Sequence, residues 1–225
     1  MPSRGTKRAA RNRGNGHPRA RRGSIRQSES VFLNIPYDKG YEKLYVALIA
    51  GVCGFRLVPR ATIEIPTSDR RLDRIIKLIG SCRFSFHDLS RVELDGSRPR
   101  TPRFNMPFEL GLTAGLAKSR DKSHRWFVLE EVPHRLTKSL SDLNGTDPQI
   151  HRGTPAGILT ALTNVLTRNR RSPSAKNLKR LYNALISAAD KIKKERGGLF
   201  GARAFKELIW AAQSFAAERD RAASR

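Results

Sequence analysis

A parallel α/β sheet with helices on both faces is the fold that this 225-residue sequence predicts. Two observations carry it. Short apolar runs alternate with amphipathic stretches in the order β-α-β-α-β-loop-α-β, which is the pattern of parallel strands joined by helical crossovers. The first of those runs, VFLNI at 31–35, is β-branched and aromatic and reads as a buried strand.

The remaining elements follow in order. PYDKG is a loop, and YEKLYVALIAGVCGF places apolar residues at helical spacing up to Gly54. RLVPRATIEI (56–65) alternates as a strand, with Pro59 directing it to a sheet edge or an interruption. RLDRIIKLIGSC (71–82) is an amphipathic helix, and RFSFHDLS (83–90) is a strand with a polar end. A loop rich in Arg, Pro and Gly leads to a helix whose first helical position is read as Pro107. RWFVLEE (125–131) is the fourth strand. HRLTKSLSDLNG forms a short helix closed by Gly145, and GILTALTNVL (157–166) is a further helix.

After a basic linker, RNRRSPSAK, two apolar stripes appear. Leu178, Leu181, Leu185, Ala189 and Ile192 lie on one, and Phe205, Leu208, Ile209, Ala212 and Phe215 on the other. They predict a helical hairpin that buries its apolar faces against the main domain or another copy of itself. The expected organisation is a disordered basic arm (1–28), a Rossmann-like, flavodoxin-like domain (29–167), and a linker with the C-terminal hairpin (168–225).

Hydrophobic residues make up 38% of the chain, and the net charge is +24. Such a surplus attracts anionic partners through long-range, salt-sensitive forces, so nonspecific nucleic acid through the basic termini is one expected partner. Residues 1–28 contain no acid and hardly any large apolar side chain. Cys53 and Cys82 lack disulfide or metal spacing, which suits a reducing cytosol. No apolar run is long enough for a membrane span, and the start lacks the apolar core of a secretory signal. The expectation is a cytoplasmic protein without membrane contact, metal or cofactor. A homo-oligomer is expected from the hairpin.

In parallel α/β sheets, ligands bind beyond the carboxyl ends of the strands. That rule collects Asn34, Tyr37 and Asp38 after the first strand and Glu64 after the second. It adds His87 and Asp88 after the third, Asn105 and Glu109 at the next helix, and Glu130 and Glu131 after the fourth. Glu109 has two readings. As third residue of its helix it is a first-turn acid favoured by the helix dipole. As a partly desolvated carboxylate in a cleft it is a nucleophile, or a stabiliser of positive charge developing on a sugar.

Other chemistries find no support. The pair His87-Asp88 lacks the upstream histidine of metal-dependent phosphohydrolases, since His17 falls in the basic arm. His124, His134 and His151 share no metal-ligand spacing and read as surface or hydrogen-bonding residues. Neither GxxxxGK[ST] nor GxGxxG is present.

A strand ending in Asp88, a loop and a helix opening FNMPFELGLTAGLAK together resemble the nucleoside 2-deoxyribosyltransferase family. There a similar strand ends in aspartate, and a later segment reads roughly D-x-G-T-x-x-E-x-G-x-A. The resemblance covers about residues 31 to 131. It implies Glu109 as catalytic nucleophile, Gly111 and Ala114 as small packing positions, and NIPYDKG as the loop holding base and sugar. The related TIR-type NAD hydrolases also place a glutamate on a helix beside such a cleft. Arg103 stands where the transferases carry an aspartate that handles the base, and Asn105 and Met106 replace the Gly-Thr pair.

Arg98, Arg100 and Arg103 suit a 5′-phosphate or pyrophosphate. The expectation is therefore an N-glycosidase, hydrolase or transferase, acting on a nucleotide or NAD-like ligand. Asp88 would position the ribose or protonate the leaving base. A non-catalytic nucleotide-sensing module and a nucleic-acid-binding protein are the alternatives.

Overall fold

The computed structural model describes residues 29–66, 70–91, 94, 96, 98–119, 124–167 and 172–223. The expected N-terminal arm lies outside them, as does the start of the basic linker. Five strands form one parallel sheet: β1 (Ser30–Asn34), β2 (Val58–Ala61), β3 (Phe84–Asp88), β4 (Arg125–Glu130) and β5 (Gln149–Ile150), in the order β2-β1-β3-β4-β5. This is the flavodoxin-like strand order. The helices are α1 (Glu42–Gly54), α2 (Arg71–Ser81), α3 (Asn105–Ser119), α4 (Arg135–Ser139), α5 (Pro155–Leu166), α6 (Ala175–Arg196) and α7 (Ala202–Ala223).

Strand parity sorts the core. Val31, Leu33, Phe84 and Phe86 face α1, α5 and the α6–α7 hairpin, whereas Phe32 faces α2 and α3. The hairpin buries its stripes against α1 of the same chain, and Leu185, Phe205 and Leu208 belong to the same cluster as Val31. Among the described residues no helix is long and apolar enough to cross a membrane.

Most elements lie within a residue or two of the ranges read in the sequence, and the larger differences have physical reasons. The second strand is shorter than 56–65 and gives way to a 3-10 turn at Thr62–Glu64. It is an edge strand, which explains why Pro59 is tolerated there. The region 134–145 divides into α4 and a 3-10 turn at Ser141–Leu143, and the two-residue β5 was not anticipated. Finally, α3 begins at Asn105 rather than Pro107, and Phe104 O already accepts from Phe108 N at 2.9 Å. The first turn of α3 therefore contains no acid, and Glu109 is its fifth residue.

Candidate functional site

The chain leaves β1 toward β2 and leaves β3 toward β4, so it departs in opposite directions from two paired strands. In open parallel α/β folds the ligand position is at such a switch point, beyond the strand ends. Glu109 comes to it on α3. It is 8% exposed, and burial pushes its carboxyl up to about 7 against a downward pull from Arg71 at the start of α2. Its backbone carbonyl accepts from the hydroxyl of buried Thr113, one turn on, at 2.9 Å.

Tyr37, on the loop after β1, shares this corner. Its hydroxyl lies 3.3 Å from Thr62 Oγ1, in the turn that follows β2. Burial pushes the phenol up to about 12, with Glu109 adding to the rise and Thr62 and Arg71 opposing it. The corner thus gathers a phenol, a carboxyl and a guanidinium from three different segments.

On the side of β3, Asp38 binds two arginines. Its Oδ1 accepts from Tyr41 N at 3.1 Å, while Oδ2 accepts from Arg91 Nε at 3.2 Å and lies 4.0 Å from Arg103 Nη1. Arg91 also reaches Glu131 Oε2 at 3.6 Å. Beside them is a cavity of about 240 Å³ whose lining includes Leu89, Arg91, Arg103, Phe104, Met106 and Leu140. Asn105, exposed at the start of α3, stands near its rim in sequence.

Asn34 and His87 turn inward instead. They are paired in register on adjacent strands, and Asn34 Nδ2 donates to His87 Nδ1 at 2.9 Å and to Met106 O at 2.8 Å. Since an amide nitrogen only donates, Nδ1 is the acceptor and His87 carries its proton on Nε2, 3.0 Å from Ser85 Oγ. Ser85 then donates to His124 Nε2 at 2.9 Å, because His124 Nδ1 donates to Cys82 O at 2.9 Å. Burial, and then His124, push His87 down to about 3, so it is neutral. The chain of donors runs one way and fixes the amide that holds the first turn of α3.

Asp88 lies in a second buried network. Its Oδ1 accepts from Ser90 N at 2.9 Å, and its Oδ2 accepts from the Tyr41 hydroxyl and faces His151 Nε2 at 3.2 Å. His151 Nδ1 accepts from Gly153 N at 3.0 Å, which places the imidazole proton on Nε2. Burial raises the Asp88 carboxyl, but His151, Ser90 and Tyr41 together hold it below the usual carboxylate range. Glu130, fully buried, accepts from Arg135 Nε at 2.9 Å. Glu64 Oε1 accepts from Ala61 N at 2.8 Å and closes the turn after β2.

The structure therefore brings Glu109 and Tyr37 to one corner, and Asp38 and Arg103 to another. It buries Asn34, His87 and Asp88 at the ends of β1 and β3. Sequence reasoning did not name Thr62, Arg71 or Arg91 as site residues. No local pattern marks them, although the first two follow the second strand, where the same switch-point rule applies.

Fold and site define a doubly wound parallel α/β protein with a buried carboxylate at its switch point. Comparison with known proteins returned no match: no family model, no curated protein and no solved structure.

Proposed function

We propose that the protein cleaves the N-glycosidic bond of a nucleotide or NAD-like molecule. One observation carries the reading: Glu109 is a buried carboxyl, outside the first turn of its helix, held near 7 at the switch point of the sheet. Once ionised, such a group stabilises an oxocarbenium-like sugar or attacks it. Arg91 and Arg103, beside the neighbouring cavity, provide planar donors suited to phosphate. Asp88, with both oxygens engaged and its proton affinity depressed, serves to position the Tyr41 and His151 segments rather than to donate a proton.

The test is release of free base from NAD, NADP and nucleoside mono- and triphosphates, followed by chromatography with and without nucleic acid. Wild-type protein releases base from at least one of them, and Glu109→Gln reduces the rate by about a hundredfold or more while ligand binding survives. Turnover by Glu109→Gln at the wild-type rate refutes the role. Binding without any turnover assigns the crevice to sensing. Nucleic-acid binding through the basic termini is a separate proposal, carried by the +24 charge.

A further inference from the structure

The C-terminal hairpin reaches the candidate site through an aromatic side chain, Phe200. Residues 197–201, GGLFG, join α6 to α7, and Gly197 takes the left-handed conformation (φ 72°) that ends α6. The tight reversal brings Phe200 back onto the loop after β1. Its ring centroid lies 5.7 Å from that of Tyr37 and 5.2 Å from that of Tyr45, at tilted angles. Tyr45 in turn stacks on Phe205 of α7 at 6.1 Å. The Thr62–Glu64 turn, whose Thr62 bonds the Tyr37 hydroxyl, also packs against α7. Tyr37 is therefore backed at its ring by the hairpin and tied at its hydroxyl to a turn that the hairpin supports.

The hairpin is itself tied to the two ends of α1. Lys193 Nζ meets Glu42 Oε2 at 2.6 Å, and Arg56 Nη2 meets Asp220 Oδ2 at 2.7 Å. A wall built this way is held in place by residues more than 150 positions from the loop that it supports.

We infer that Phe200 is a positioning residue for the candidate site: by backing Tyr37 it holds that ring and its Thr62-bonded hydroxyl in place at the switch point, and the C-terminal hairpin thereby bears on ligand binding there. This rests on the reading of the crevice as a nucleotide site. The hold on Tyr37 can also be measured without any ligand. Loss of the ring removes an aromatic contact, an effect of about three- to tenfold on an equilibrium it controls.

The experiment compares Phe200→Ala, Phe200→Tyr and Phe200→Leu with Phe215→Ala. Phe215 is a hairpin residue that packs in the same core, with no described ring contact to Tyr37. In the full-length chain, Phe200→Ala should shift the Tyr37 ring resonances in aromatic carbon–proton NMR. It should also raise the KM or Kd of the accepted nucleotide about three- to tenfold, with kcat within about twofold. Phe200→Tyr should restore both. Phe215→Ala should lower the unfolding midpoint while leaving the resonances and KM in place. Phe200→Leu, which keeps apolar volume and loses the ring, decides the question if Phe200→Ala does not fold. Tyr37 resonances that stay put in the Phe200 variants overturn the inference. A wild-type protein that binds no nucleotide overturns the functional reading instead, and the resonances still decide the hold on Tyr37.

Discussion

Glu109 is the residue where the two sequence readings make opposite forecasts for stability. A first-turn acid is mildly favourable, so its neutralisation would cost a few tenths of a kcal/mol. A buried carboxyl is different. Its proton affinity in the folded chain is about 7, against 4.5 when solvated. The folded state thus binds more protons than the unfolded state between those values, and stability falls as pH rises through that window. The full penalty at pH 8 is about 3 kcal/mol. Glu109→Gln is therefore expected to be more stable than wild type above pH 7, to lose that advantage near pH 4, and to flatten the dependence between. Urea unfolding at pH 4.5, 6 and 8 measures it, and a variant less stable at pH 8 contradicts the burial. The position of Glu109 was legible in the sequence because topology alone puts it near the strand ends. The inward direction of Asn34, His87 and Asp88 was less so. The switch-point rule gives a location, whereas side-chain direction follows strand parity. Asn34 and His87 share the face of Phe32 and Ser85, and with that face covered by α3 they had to find partners inside.

Among the elements, long apolar stretches were legible and short or capped ones were not. A helix buried on nearly every side, such as α1 from Leu44 to Gly54, declares itself by composition. The two-residue β5 has too few residues to show a period. Proline misled the reading of α3, because the first four amide groups of a helix are unpaired anyway. Pro107 marks the first turn without marking the first residue. Glycines give a sharper test of packing. A Cβ on Gly157, near the start of α5, would meet His151 O at 2.0 Å, while one on Gly115 of α3 meets nothing within 4 Å. The same substitution should act in opposite directions at the two places. Gly115→Ala gains about 0.5–1 kcal/mol from helix propensity. Gly157→Ala is expected to lose at least about 1–3 kcal/mol, since backbone must move away and His151 sits in the Asp88 network. Thermal unfolding of the two variants decides it, and two stabilised proteins would show that α5 has room to shift.

At the scale of the whole molecule, the question is whether the hairpin is an appendage or part of the core. Composition shifts at the basic linker, which made a boundary near 168 visible in the sequence, but packing crosses it. α1 meets the sheet on one side and α5, α6 and α7 on the others. The approach is close: a Cβ on Gly51 would lie 2.3 Å from Leu162 of α5, and one on Gly54 would lie 2.5 Å from Leu178 of α6. Tyr45 of α1 stacks on Phe205 of α7. The apolar stripes of the hairpin are thus used within the chain, and removing them would uncover one flank of a helix that is apolar nearly all round. Exposed apolar area of that kind promotes association or a loosely packed state. A chain ending at residue 171 is therefore expected to aggregate, or to retain helical far-ultraviolet dichroism while losing its near-ultraviolet signal and binding a hydrophobic dye. The intact chain should unfold in urea as a single transition, with fluorescence and dichroism coinciding. An independent hairpin would instead give two transitions for the intact chain and a soluble, cooperatively unfolding monomer for the truncated one. Phe200 makes the distinction functional as well, because a hairpin that unfolded on its own would release Tyr37 while the sheet stayed intact. The Tyr37 ring resonances, followed along the same urea series, should therefore disappear together with those of Trp126 in β4 and not before them.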